Sequence, residues 1–441
     1  MRDEADRAVI ERAARALVGR RLGEVTDVAA GTALGNRTRG TVGHHLERYF
    51  GLPISSDAGP DFTAAGVELK SVPMVPQGNT YVAKERTFVT AIDYGSIIDR
   101  PFDGSTLDRK TRTTLYIFYA WERDVAVADL RVLRVLLHDR DELDERTLRE
   151  AYRHVQLAVR SGRAHELSES DTWGVGPATK DSRARDIPQP RSPLPARRRA
   201  FAWRSAYTTR LFQLAALHEP PPVEAPDELG DLVRDVRDRL LPWYGVRVAD
   251  LRDRFCPHVT DASKSLASRA TRELLGAQGR RDLEAFARLG IAIRTVRANR
   301  STLRPFEATS FPAIDYLEVV HTPWDASDLQ EQLNSVLFVV FAAEPGDRPR
   351  DARLWTSFLW RPSDDDRATM EREYERFRTA IRTRPPEEWP GSRDTDILHV
   401  RPHGRDRTDR RPLPTGGDHV RSAFWLNQGY LQQLIAESRP L

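Results

Sequence analysis

The stretch Gly59-Pro60-Asp61-Phe62-Thr63-Ala64-Ala65-Gly66-Val67-Glu68-Leu69-Lys70-Ser71-Val72-Pro73 decides how this chain is read. From Val67 to Val72 polar and apolar residues alternate, the period of a strand with one buried face, and Pro73 is expected to end it. In such a strand Glu68 and Lys70 share one face, while Val67 and Leu69 point the other way, into the core. Asp61 follows the Gly59-Pro60 turn and is placed to meet Glu68 at the strand edge. Phosphodiester cleavage at neutral pH needs a hard divalent ion held by carboxylates and a group that orients or deprotonates the attacking water. Asp61, Glu68 and Lys70 supply those groups. The plainer alternative is a surface strand carrying an ordinary Glu–Lys pair. Against it stands the rarity of lysine: of 68 Lys and Arg residues only Lys70, Lys84, Lys110, Lys180 and Lys264 are lysine. Where an Arg-rich chain keeps a lysine, a compact ammonium is wanted rather than a planar guanidinium.

Upstream of the motif, Gly43 to Phe50 reads as an amphipathic helix with Leu46 and Phe50 on one face and Glu47 beside them. Downstream, Thr87 to Ile92 and Thr114 to Ala120 read as strands, the second fully buried, and Glu142 to Arg160 as a charged helix. This mixture predicts an α/β fold, a central mixed sheet flanked by helices. With 441 residues the chain exceeds what one core usually serves. The proline-rich segment from His218 to Pro226 has the composition of a linker and divides the chain near its middle. We expect an N-terminal nuclease domain over 1–217, a linker over 218–240 and a second domain over 241–441. A faint repeat supports two similar domains. Gly66-Val67-Glu68-Leu69-Lys70 aligns with Gly290-Ile291-Ala292-Ile293-Arg294, Ala91-Ile92-Asp93-Tyr94 with Ala313-Ile314-Asp315-Tyr316, the strand from Leu115 with that from Val336, and Phe201 to Tyr207 with Phe424 to Tyr430. Four matches in one order and nearly one offset mark a duplication.

With Glu47 included, the pattern becomes specific. Arg39-Gly40-Thr41-Val42-Gly43-His44-His45-Leu46-Glu47, then Asp61-Phe62, then Gly66-Val67-Glu68-Leu69-Lys70, resembles the MutH mismatch-repair nicking endonucleases of the PD-(D/E)xK nuclease superfamily. The two-halved layout is similar to the Sau family of GATC-cutting type II restriction endonucleases, which carry two MutH-like domains in one chain. The resemblance implies tandem restriction-endonuclease-like domains and Mg²⁺-dependent cleavage of double-stranded DNA at a short palindrome. It implies catalytic roles for Asp61, Glu68 and Lys70, with Glu47, Asp61 and Glu68 at the metal. It implies a further basic residue on the strand before Leu115, either Lys110 or Arg112, with Lys110 favoured if the role needs an ammonium. It also implies DNA contacts from a lysine-bearing loop and the aromatic-basic segment after it, for which Lys180, Arg183, Arg185, Arg204 and Tyr207 are the nearest matches. The arginines at 191 and 197–199 recur in the second half as Arg401, Arg405, Arg407, Arg410 and Arg411. Such side chains suit phosphate and guanine contacts, though solvated loops are the plain alternative.

Threaded on the first half, the second has Ala285 for Asp61, Ala292 for Glu68, Arg294 for Lys70 and Arg272 for Glu47. With the carboxylates gone it reads as a catalytically dead copy, kept for binding effector DNA or as a structural support. One cutting centre per chain then calls for two chains on a palindrome, and a homodimer on DNA is expected. A lone nickase, or a non-catalytic DNA-binding regulator, are the other readings; the second domain speaks against the first and the complete acidic set against the second. No apolar run spans a membrane, no signal peptide is seen, and the single cysteine, Cys256, excludes an intramolecular disulfide. A cytoplasmic protein is expected. A net charge of +3 means that any DNA surface must come from local clustering.

Overall fold

A computed structural model describes residues 6–25, 41–53, 59–77, 80–179, 186–216, 229–260, 265–276 and 281–438. The proline-rich segment 218–226 lies outside them. The chain forms two compact units, Met1–Ala225 with Ala287–Leu289, and Pro226–Phe286 with Gly290–Leu441. Both are mixed α/β, and the tandem architecture expected from the repeat is present.

In the first unit, α1 (Arg7–Arg15) and α2 (Thr41–Phe50) precede β1 (Glu68–Gln77), β2 (Thr80–Ala83) and β3 (Thr87–Ala91). Then come the short helices α3 (Tyr94–Ile97) and α4 (Thr106–Thr111), β4 (Thr113–Ala120), β5 (Val132–Asp139), α5 (Glu142–Arg160), β6 (Val175–Thr179), β7 (Arg199–Trp203) and α6 (Ser205–Leu214). The main sheet has the order β2-β1-β4-β5, with β1 and β4 parallel and both outer pairs antiparallel. A second, antiparallel sheet runs β3-β7-β6.

Every residue of β4 is buried. That is the signature of a central strand covered on both faces. Leu115 and Ile117 pack with Val67, Leu69, Leu46 and Phe50 under α1 and α2. Tyr116 and Phe118 pack with Val72, Met74 and Leu148 on the other side, beneath α5 and α6. The alternation read in the sequence thus holds, but Pro73 does not end the strand. β1 continues to Gln77 because it changes neighbours there: it pairs with β4 from Glu68 to Met74 and with β2 from Met74 onward. The Pro73 carbonyl accepts from the Lys84 N–H on the β2 side. A strand residue turns its N–H and C=O toward the same neighbour, so the missing N–H falls on that side and the β4 ladder is intact.

The second unit repeats the plan. Helices α7 (Leu229–Leu240), α8 (Val248–Phe255), α9 (Leu266–Gly276) and α10 (Arg281–Leu289) lead to β8 (Ala292–Asn299) and β9 (Ser310–Ala313). These are followed by α11 (Tyr316–Val319), α12 (Asp328–Leu333), β10 (Val336–Ala343), β11 (Arg353–Trp360), α13 (Asp364–Thr383), β12 (Leu398–Pro402), β13 (Arg410–Pro412), β14 (Asp418–Val420), β15 (Ser422–Leu426) and α14 (Gln428–Glu437). The sheet β11-β10-β8 matches β5-β4-β1, again with a parallel inner pair, and β12-β15-β9 matches β6-β7-β3. The repeat is anchored by local chemistry. Asp93 caps α3 by accepting from Gly95 and Ser96 N–H, and Asp315 caps α11 through Leu317 and Glu318. The next residue in each, Tyr94 or Tyr316, donates its hydroxyl to a backbone carbonyl at 2.7 Å, that of Arg197 or Val420. Among the described residues no helix is long and apolar enough to cross a membrane.

Arg86 and Glu169 form an ion pair of which both side chains are buried. Replacing Arg86 by Met leaves the carboxylate of Glu169 without its charge partner, and we expect a loss of about 3–5 kcal/mol in the unfolding of the first unit. Chemical denaturation followed by amide hydrogen exchange in β3, β6 and β7 measures it; an unchanged midpoint would show that the pair carries no net weight.

Candidate active site

Asp61 enters a tight reversal. Phe62 and Val67 bridge each other, and the N–H groups of Gly66 and Val67 both donate to the Phe62 carbonyl. Gly66 sits at φ +67°, a conformation that a side chain disfavours. The reversal brings the Asp61 carboxylate back onto β1, where its Oδ2 accepts from the Leu69 N–H at 2.8 Å. Over Glu68 to Val72 that edge of β1 faces no strand among the described residues, because β2 pairs only from Met74 onward. Asp61 therefore closes an open strand edge one residue from Glu68.

Glu68 is 1% exposed. Its Oε1 accepts from Lys70 Nζ at 2.6 Å, and both its oxygens accept from Lys110 Nζ at 3.2 Å. Burial of a lone carboxylate is costly, and two ammonium groups offset it. Glu47, half-buried on α2, stands within electrostatic range of Asp61, Glu68, Lys70 and His44. Burial, then the negative charges of Asp61 and Glu68, raises the Glu47 carboxyl above its ordinary value, against the lowering effect of His44 and Lys70. The structure thus brings Glu47, Asp61, Glu68, Lys70 and Lys110 together. As they stand, no three His, Cys, Asp or Glu side chains among the described residues are gathered closely enough to hold a metal ion. The donor chemistry nevertheless fits a hard divalent cation: oxygen ligands only, crowded with like charge.

Two expectations need correction. The basic residue before Leu115 was expected on a strand. Lys110 instead lies on α4, whose last turn delivers its ammonium to Glu68, and the strand begins only at Thr113. Arg112 is committed elsewhere, to the buried Asp108, with Nη2–Oδ2 at 2.6 Å. Asp108 also accepts from Gly104 N–H at 2.7 Å and Arg140 at 3.0 Å. Burial pushes its carboxyl up, but the bonds from Arg112, Gly104 and Arg140 prevail and hold it at about 2. This latch fixes the helix that carries Lys110. Sequence reasoning missed it, although Ser105-Thr106-Leu107-Asp108 has capping-box spacing and Ser105 does accept from the Asp108 N–H.

The second correction concerns DNA contacts. Arg204 is buried and donates to the carbonyls of Glu169 and Thr172 at 3.0 and 2.6 Å. Tyr207 is buried as well, stacked on Trp203 with ring centroids 3.9 Å apart. Both hold β7 and α6 in place, and neither side chain is presented to a ligand. Lys180, Arg183 and Arg185 lie outside the described residues, as do Arg39 and Gly40. Arg197 and Arg198 are exposed. In the second unit Arg405, Arg410 and Arg411 pair with Asp406, Asp418 and Asp409.

The duplicate site follows the same register with different groups. Glu68 pairs with Thr114 across the parallel ladder, and Ala292 pairs with Val336. Ser327 caps α12 at the position of Ser105, and Gln330 stands for Asp108, Gln332 for Lys110 and Asn334 for Arg112. The ion pair of the first unit becomes an amide pair, Gln330 to Asn334 at 3.3 Å.

Comparison with known proteins agrees with this duplication. The family described as "DNA mismatch repair enzyme MutH" is matched over residues 50–151 and again over 276–373. The type II restriction enzyme Sau3AI of Staphylococcus aureus is 23% identical across 91% of this chain and 93% of its own. The mismatch repair protein MutH of Escherichia coli O6:K15:H31 is 30% identical across 35% of this chain and 67% of its own. MutH of Vibrio parahaemolyticus is 25% identical across 47% and 93%.

The depressed Asp108 carboxyl makes a pH prediction. Its folded value lies below the ordinary one, so its contribution is present above the usual carboxyl range and is lost as pH falls toward 2. That contribution is about 2 kcal/mol. Asp108→Asn should lower stability near neutrality and flatten its decline in acid, as read by melting temperature against pH. Parallel curves for the two proteins would refute the latch.

Proposed function

The chain belongs to the MutH family of DNA endonucleases, and on that premise we propose a Mg²⁺-dependent type II restriction enzyme that cuts double-stranded DNA at a short palindrome, GATC being the expected site. The observation that carries this reading is the buried Glu68 carboxylate bracketed by Lys70 and Lys110, with Asp61 tied to the same strand. In this reading Glu47, Asp61 and Glu68 would hold the ion, and it would supply positive charge where the phosphate gains negative charge. Lys70, on the same strand face as Glu68, orients the attacking water by donating to it. Lys110 stays paired with Glu68 and donates to a phosphate oxygen. The buried floor under the motif, Val67, Leu69 and Leu115, keeps these groups in register.

The second unit lacks the acidic set, so each chain cuts one strand per engagement. A break in both strands of a palindrome then needs two chains about a twofold axis, and we propose assembly as a homodimer on DNA. The second unit serves as a DNA-binding effector module. Its lost carboxylates and retained fold support that role, and a lone nickase has no use for it.

Plasmid cleavage tests the reading. Wild-type protein should give linear product with Mg²⁺ and none in EDTA. Glu68→Ala and Lys110→Met should each slow cleavage by about 10³-fold or more with folding intact by circular dichroism. Undiminished cutting in EDTA, or by Glu68→Ala, defeats it.

A further inference from the structure

Where the first unit gathers carboxylates, the second gathers arginines around a cavity. The cavity has a volume of about 200 Å³ and is lined in part by Ser268, Arg272, Arg294, Arg297, Glu307 and Ser310. That is several times the roughly 30 Å³ share of one water, and room for a phosphodiester group. Glu307 is paired with Arg297 at 2.8 Å. Arg294 is largely withdrawn from solvent. Among the described residues its Nε is buried without an acceptor, and its terminal nitrogens reach only the Ile293 carbonyl and Gln332 Oε1, each at 3.4 Å. Burial, and then the charge of Arg272, pulls its proton affinity down. Two like charges thus face one cavity, and one of them lacks the acceptors that a buried guanidinium needs. The missing partner has the chemistry of an anion.

We propose that this cavity holds a DNA phosphodiester, gripped by Arg272 and Arg294 at the positions that Glu47 and Lys70 occupy in the cutting unit. The planar guanidinium suits bidentate contact with phosphate oxygens. The bound phosphate is not cleaved, because the remaining ligand positions are Ala285 and Ala292. This inference rests on the reading of the second unit as a DNA-binding module and says which atoms do the binding: the old catalytic pocket is the effector's phosphate seat.

The test uses the full chain carrying Glu68→Gln, so that DNA stays intact, with a short GATC duplex in Ca²⁺. Arginine modification by phenylglyoxal, read by mass spectrometry, needs no change in the pocket. The duplex should slow modification of Arg272 and Arg294 at least about fivefold, whereas equal rates with and without duplex overturn the proposal, as does protection by inorganic phosphate alone and not by duplex. Calorimetry gives the second arm. Adding Arg272→Gln and Arg294→Gln should weaken one class of duplex sites at least about tenfold and leave the other, with a melting temperature equal to or above the parent's. A structural role for Arg294 would instead lower the melting temperature and spare binding, which also overturns it. Absence of any duplex binding by the Glu68→Gln parent would defeat the nuclease reading itself, a result separable from unchanged binding by the arginine variants.

Discussion

A carboxylate sealed from water beside two ammonium groups is the constraint on which the first unit turns. Glu68 is buried at the start of β1 and receives Lys70 from its own strand and Lys110 from α4. A buried charge is tolerated only when its partners are close and held there. Several otherwise unrelated features serve that end. The parallel ladder fixes Glu68 opposite Thr114, four residues past Lys110. The Ser105 cap and the Asp108–Arg112–Arg140 latch fix α4. The reversal at Gly66 returns Asp61 to the strand edge. Remove any one and the ammonium groups or the second carboxylate lose their aim.

The second unit shows what happens when that constraint is lifted. With Ala292 in place of Glu68 there is no buried negative charge to neutralise, and the two lysine positions no longer need ammonium groups. Arg294 and Gln332 stand there, and an amide pair stands where the first unit has its charged latch. The parts that shape the scaffold stayed: a glycine at φ +73° at position 290, the Phe286–Ile291 hydrogen bond that mirrors Phe62–Val67, the Asp315 cap and the Tyr316 anchor. Scaffold and chemistry therefore separate cleanly along the duplicated chain.

Much of this was legible in the sequence because it rests on local rules. Alternation from Val67 to Val72 gave the face of Glu68 and Lys70, and the fully apolar run from Leu115 marked the central strand. The Asp-Tyr pairs revealed the repeat because each is a cap followed by an anchor. What failed depended on tertiary context. Pro73 reads as a strand end unless one knows that β1 changes partners there. Lys110 reads as a strand residue because helix α4 is only six residues long. Arg204 and Tyr207 look like DNA contacts because a positive charge and an aromatic ring serve a core as readily as a groove, and only burial distinguishes the uses.

The retained caps and anchors have an implication for how such a chain acquires new behaviour. Each half carries its Asp cap and Tyr anchor outside the pocket, while the side chains that line the two pockets differ in charge. One blueprint thus frames a carboxylate-bearing pocket in one unit and an arginine-lined pocket in the other.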